Sequence, residues 1–189
     1  MKSAYLAEKF AAALPYDRYV ETGTEEQRRR WRHVYDVTHV TGDQTRLLSG
    51  FIREMKLLIV SGVWCGDCIQ QCPLLQRCAE ANPARIKLRL LDRDVHRDLS
   101  EQVRLNGGDR VPVVLFLSED HEFCALAGDR TLDRYRALAA RQLGPSCPTG
   151  IYPSPADELA ATLQDWVNEL ERVHWMLRLS ARLRQRHND

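Results

Sequence analysis

Two thiols, Cys65 and Cys68, are separated by two residues in the segment Trp64-Cys65-Gly66-Asp67-Cys68. A thiolate attacks a disulfide to form a mixed disulfide, and a second thiol close behind can resolve it. The pair can therefore pass electrons to a partner disulfide, with Cys65 as the attacking sulfur and Cys68 as the resolving one.

The flanking residues describe what must hold such a pair. Lys56 to Val63 is a run of aliphatic and β-branched residues about the length of a buried central strand. After the cysteines, Ile69, Leu74, Leu75 and Cys78 recur at helical spacing until Asn82-Pro83. A strand-to-helix turn aims the first free N–H groups of the helix at Cys65 and favours thiolate over thiol.

The pattern resembles the thioredoxin family over roughly residues 50 to 142. Trp64 stands where the family has a tryptophan, and Pro73, five residues after Cys68, where it has a helix-kinking proline. Arg110 to Leu117 is similar to its cis-proline and the strand that follows, and Gly128, sixteen residues beyond Pro112, matches a glycine in its substrate groove. The resemblance implies a thiol-disulfide oxidoreductase with Cys65 and Cys68 as catalytic residues, and with Trp64, Gly66, Asp67, Val111, Pro112 and Gly128 bordering the substrate. Taken alone, Val111-Pro112 reads as a trans proline starting an edge strand, since cis is about 5 to 6% of X-Pro bonds. A cis bond would instead leave the Val111 backbone free to pair with an extended substrate.

Two positions depart from the family. Its buried acid falls at Ile59, so the proton acceptor for Cys68 is missing from that place. Asp67 stands where well-known members carry proline. Its carboxylate suits the helix N-terminus but repels a neighbouring thiolate. The repulsion is expected to win in part, leaving Cys65 less acidic and the couple on the reducing side; a potential near roughly −120 mV would reject this.

The coarse order of elements is α/β, with strands near 56–62, 86–91, 111–117 and 122–127, and helices near 96–105 and from Thr131 to Leu143. That order predicts a thioredoxin-like four-stranded mixed sheet flanked by helices. Residues 1–55 are expected to add three helices packed on the core: Thr24 with Gln27, and Thr41 with Gln44, have capping-box spacing. Leu47, Leu48, Phe51, Ile52 and Met55 form an apolar stripe after the second. The core would occupy 56–143 and a proline-rich connector 144–154, with Ser154-Pro155 starting a C-terminal helix over 155–189. Leu159, Leu163, Trp166, Leu170, Val173 and Leu177 make a seam along that helix. Either it packs on its own domain or it offers a homodimer or partner face. Arg178, Arg182, Arg184 and Arg186 are expected to stay in water.

Composition bounds the remaining roles. Lys plus Arg is 27 against 26 Asp plus Glu, which gives no excess to neutralise nucleic-acid phosphates, so Arg28 to Arg30 with Arg32 read as a solvated helix face. Lys2, Glu8 and Lys9 interrupt the opening segment, and no stretch reaches membrane-spanning length. A cytoplasmic protein with reduced thiols follows as the expectation. No G-x-G-x-x-G loop is present, so no bound nicotinamide or flavin cofactor is expected; electrons would come from a separate disulfide reductase and pass to client proteins with disulfides. Cys72 can be a packed thiol, a third redox thiol, or with Cys65 and Cys68 a partial metal set that lacks a fourth ligand. Cys78, Cys124 and Cys147 read as core or incidental thiols. His33 or His39 could approach the pair and assist proton transfer. The alternative function is a thioredoxin-like interaction or redox-sensing module that binds a partner through the C-terminal helix.

Overall fold

The apolar run at 55–61 folds as strand β1 (Met55–Ser61), buried along its whole length. It is the central strand of a sheet in the computed structural model, which describes residues 1–143 and 157–189. β2 (Ile86–Asp92) pairs parallel to it, and β3 (Val113–Ser118) pairs antiparallel on the other side. β4 (Phe123–Gly128) closes an antiparallel hairpin with β3, giving the order β2-β1-β3-β4 expected of a four-stranded mixed sheet. Helix α5 (Gly66–Ala81) connects β1 to β2.

The segment before β1 holds four helices where three were expected: α1 (Ser3–Ala12), α2 (Tyr16–Val20), α3 (Glu25–Val37) and α4 (Gly42–Ser49). Both capping boxes form, Thr24 with Gln27 and Thr41 with Gln44, each pair satisfying N–H groups that a helix start leaves free. The stripe over 47–55 is not one helical face. α4 ends at Ser49, Phe51 is buried in the connection, Ile52 is exposed and Met55 belongs to β1. Between α1 and α2, Leu14 exchanges two backbone hydrogen bonds with Leu90 on the outer edge of β2, at 2.9 and 2.8 Å.

The helix expected near 96–105 is shorter, an α-turn α6 (Arg97–Ser100) followed by a 3₁₀ turn at Glu101–Val103. α7 (Leu132–Leu143) begins where Thr131 caps it, with Arg134 N–H donating to Thr131 Oγ1 at 3.4 Å. The connector 144–154, the Ser154-Pro155 start and Cys147 lie outside the described residues. The C-terminal segment is two helices, not one: α8 (Glu158–Leu179), capped by Asp157, and α9 (Ala181–His187), capped by Ser180. Leu163, Trp166, Leu170, Val173 and Leu177 are buried against the chain's own α5, α7 and α4, so the seam on which a homodimer would rely is covered from within. Of the arginines expected in water, Arg182, Arg184 and Arg186 are exposed and Arg178 is half-buried, and all four are also paired. Arg182 and Arg186 reach Asp120, Arg186 and His187 reach Glu119, Arg178 reaches the Asp189 carboxylate and Arg184 its backbone carbonyl.

No helix among the described residues is long and apolar enough to cross a membrane.

Candidate active site

β1 ends at Ser61, and the chain turns through Gly62, Val63 and Trp64 before α5 begins at Gly66. Cys65 is the residue that caps α5, with extended backbone (φ −78°, ψ 128°), and its amide is held by Gly62 O at 2.9 Å. The turn is braced from the N-terminal helices: Trp31 of α3, fully buried, donates its indole N–H to Val63 O at 2.8 Å. Gly62 leaves room that a side chain would fill, since a Cβ there would meet the Trp64 ring at 2.8 Å. Trp64 itself is 45% exposed, with the Arg93 guanidinium 4.8 Å from its ring centroid.

The two thiols differ in surroundings. Cys65 is partly exposed and its thiol donates to Val111 O at 3.5 Å, while Cys68 is fully buried one turn inward with Gly62 N–H donating to its sulfur at 3.5 Å. Val111-Pro112 is cis, and this placement brings Val111, Pro112 and the cysteine pair together. Gly128 pairs with Val113 beside them at φ +134°, where a Cβ would lie 2.3 Å from Pro112 O; only glycine fits there.

The Asp67 expectation needs correction. Its carboxylate does not stand as a free charge beside the thiols, because Arg130 donates to Oδ2 at 2.6 Å and Arg134 to Oδ1 at 3.0 and 3.2 Å. Cys65 is nevertheless less acidic than an ordinary thiol. Its hydrogen bonding with the Cys68 thiol pushes its pKa up first, and burial adds to that. The N–H groups of Cys68 and Asp67 at the helix start pull the other way, as expected, but do not prevail in the dithiol form. Burial likewise pushes Cys68 well up.

Ile59, at the position of the family's acid, is fully buried. Polar atoms lie elsewhere beneath the pair. The Ser61 hydroxyl is 3.9 Å from the Cys72 sulfur, both fully buried, and burial raises the pKa of the nearby Tyr19 hydroxyl. Cys72 is thus packed under Cys68 beside Ser61. Among the described residues no group of three or more His, Cys, Asp or Glu could hold a metal ion, and the described cysteines are all free. Burial alone pushes Cys78 up to about 12. His33 lines a cleft that reaches Gly66, whereas His39 faces a separate one with Asp157 and Leu163, away from the thiols.

Sequence reasoning missed the residues that support the site from a distance. Trp31, Arg130 and Arg134 are three; Gln71 is a fourth, buried on α5 and donating to Asp129 O at 2.8 Å. A capped helix start at Thr24 was the one local sign that Trp31 lies on an ordered element.

Comparison with known proteins adds the following. A family model described as thioredoxin matches residues 13–131. No curated protein matches the chain. A crystal structure of a protein of unknown function from Pseudomonas aeruginosa is similar at 18% identity and a TM-score of 0.68, covering 88% of this chain and 95% of that one. An HIV epitope scaffold is similar at 19% identity and a TM-score of 0.60, covering 90% and 93%. Both likenesses are of fold.

Proposed function

The chain belongs to the thioredoxin family, and from that premise we propose that it is a thiol-disulfide oxidoreductase that reduces protein disulfides with Cys65 and Cys68. One observation carries the reading: a partly exposed Cys65 at the start of α5, beside the Val111 carbonyl, with a buried Cys68 one turn behind. Cys65, as thiolate, attacks one sulfur of a client disulfide. The Cys65–client S–S bond forms, the client S–S bond breaks, and the leaving sulfur takes up a proton. Cys68 then gives up its proton and attacks the Cys65 sulfur, closing the Cys65–Cys68 bond and releasing the second client thiol. Two electrons have passed to the client. A separate disulfide reductase returns them through its own thiols, in a reducing compartment such as the cytoplasm. Trp64, Gly66, Asp67, Val111, Pro112 and Gly128 border the client, and the Val111 backbone offers strand-like pairing.

Insulin reduction in dithiothreitol tests this. The native chain is expected to be active, the Cys65→Ser variant inactive, and a Cys68→Ser variant to accumulate mixed disulfides with clients. Equal, background-level reduction by the native and Cys65→Ser chains would reject it.

A second reading, a partner-binding module, rests on the outer face of α8, where Trp175, Met176 and Leu179 are exposed. Capture of a partner that Trp175→Ala and Leu179→Ala weaken, in a chain without reductase activity, would favour it.

A further inference from the structure

Alongside Cys65 runs a cleft of about 500 Å³ between α3 and α5. Its floor is Val34 and Ile69, and Gly66, the residue after Cys65, forms its end near the thiols. Its rim carries Arg29, Arg30 and His33. Arg29 and Arg30 are exposed and take part in no ion pair among the described residues, whereas Arg28 and Arg32 on the same helix are both committed to Glu21. Glu25 and Asp36 border Arg29 and His33 in the neighbouring groove, along with Arg28 and Arg32, and do not line this one.

On the opposite side of Cys65 the acids are already spent. Asp67 is held by Arg130 and Arg134, and Asp129 by Arg110, Arg130 and Tyr135. A polypeptide entering this cleft beside Cys65 therefore meets the unpaired Arg29 and Arg30 at its rim, while Glu25 and Asp36 line the neighbouring groove and Asp67 and Asp129 are already paired. The chain's overall charge of +1 hides this local imbalance.

We propose that the α3–α5 cleft is a docking surface for an acidic peptide segment adjoining the disulfide that Cys65 attacks. The proposal rests on the reductase reading and names its substrate class: clients with Asp or Glu within about three residues of the attacked cysteine, given an advance of about 3.3 Å per residue in an extended chain. The apolar floor takes the side-chain stems, and Arg29 and Arg30 meet the carboxylates. Opposite charge at such a rim raises the association rate and is screened by salt.

Three synthetic peptides with the same disulfide and glutamate, glutamine or lysine flanks provide the test, with uncharged bis(2-hydroxyethyl) disulfide as reference. The glutamate peptide should be reduced with a kcat/KM roughly tenfold above the lysine peptide at low salt, and the preference should shrink several-fold near 300 mM salt. Arg29→Glu with Arg30→Glu should invert the order while leaving the rate on the reference disulfide unchanged. Equal rates on the three peptides, or a preference that survives the charge reversal, would overturn the proposal. If the chain reduces none of these disulfides, it is the reductase reading that fails. Fluorescence anisotropy of a cysteine-free glutamate peptide then decides the surface alone: binding lost in the double variant supports it, and unchanged or undetectable binding overturns it. Displacement of that peptide by a short oligonucleotide at lower concentration than by unlabelled peptide would assign the cleft to nucleic acid and also overturn the proposal.

Discussion

Cys65 has to lose a proton before it can attack, and in the reduced protein its contact with the Cys68 thiol and its partial burial both keep that proton in place. Attack should therefore become faster as pH rises past neutrality. The rate of Cys65 alkylation by iodoacetamide in the reduced chain is expected to have its midpoint above the ordinary thiol value of about 8.5, and a midpoint below 7 would contradict the assignment. A basic thiol makes a better nucleophile once ionised and a poorer leaving group, both consistent with a reducing couple. At this scale the Cys65-Cys68 pair was legible because its spacing is local, whereas Pro112 and Gly128, far along the chain, were legible only through the resemblance of their motifs to the family; the fold brings Val111-Pro112 and Gly128 to the pair. The role of Asp67 was not. The arginines that neutralise it stand 63 and 67 residues away in sequence, a distance over which no spacing rule operates. Ser61 and Gly62, whose hydroxyl and N–H face the two inner sulfurs, gave no sign in a run that reads as plain strand.

Helix α3 braces the turn at Cys65 through the Trp31 indole. Replacing Trp31 by Phe leaves the buried Val63 carbonyl without its donor, a loss of about 1 to 3 kcal/mol that falls on the turn holding Cys65. Trp166 of α8 supplies the control, since its ring is equally buried but its N–H has no partner among the described residues. Urea unfolding should show Trp31→Phe to be more destabilised than Trp166→Phe, and insulin reduction should fall only in the former; equal effects in both would show that the hydrogen bond does not support the turn. The elements themselves were legible where both ends carried signals. Thr24-Gln27 and Thr41-Gln44 fixed helix starts, and the burial of β1 centres on its apolar run Leu57 to Val60, with Lys56 buried beside it through its bonds to Glu54 and the Glu119 carbonyl. The α1–α2 break escaped because its Leu14-Pro15 junction is set by pairing with Leu90, far along the chain. The helix near 96–105 shrank to short turns because its few apolar residues, Leu99 and Val103, can be buried without a long helix. The seam of α8 was visible as periodicity, but periodicity does not say which surface covers it.

Charge networks join regions that the backbone alone would leave apart. Glu158 at the start of α8 accepts from Arg141 and Arg134 of α7 and from Gln70 of α5. The hydrogen bond from Arg141 lowers its carboxyl most; burial opposes this, and Arg134 and Gln70 help bring it from 4.5 to about 2. The unfolded chain binds a proton more readily between those values, so the contribution to stability is complete above about pH 4.5 and is lost as pH falls toward 2. Solvent screening limits it to on the order of 2 kcal/mol. Urea titrations from pH 7 to 2 should find Glu158→Gln less stable than the native chain near neutrality and converging with it at the acid end; a gap independent of pH would contradict this. The sheet, finally, is not symmetric at its rims. Leu14 occupies the backbone of β2 at Leu90, whereas β4 forms the opposite outer strand with Phe123 exposed. Fibrous growth by edge-to-edge stacking requires two open rims on every copy. A guest must first evict Leu14 from one of them here, so accretion through the other stops at a pair instead of running on into a filament.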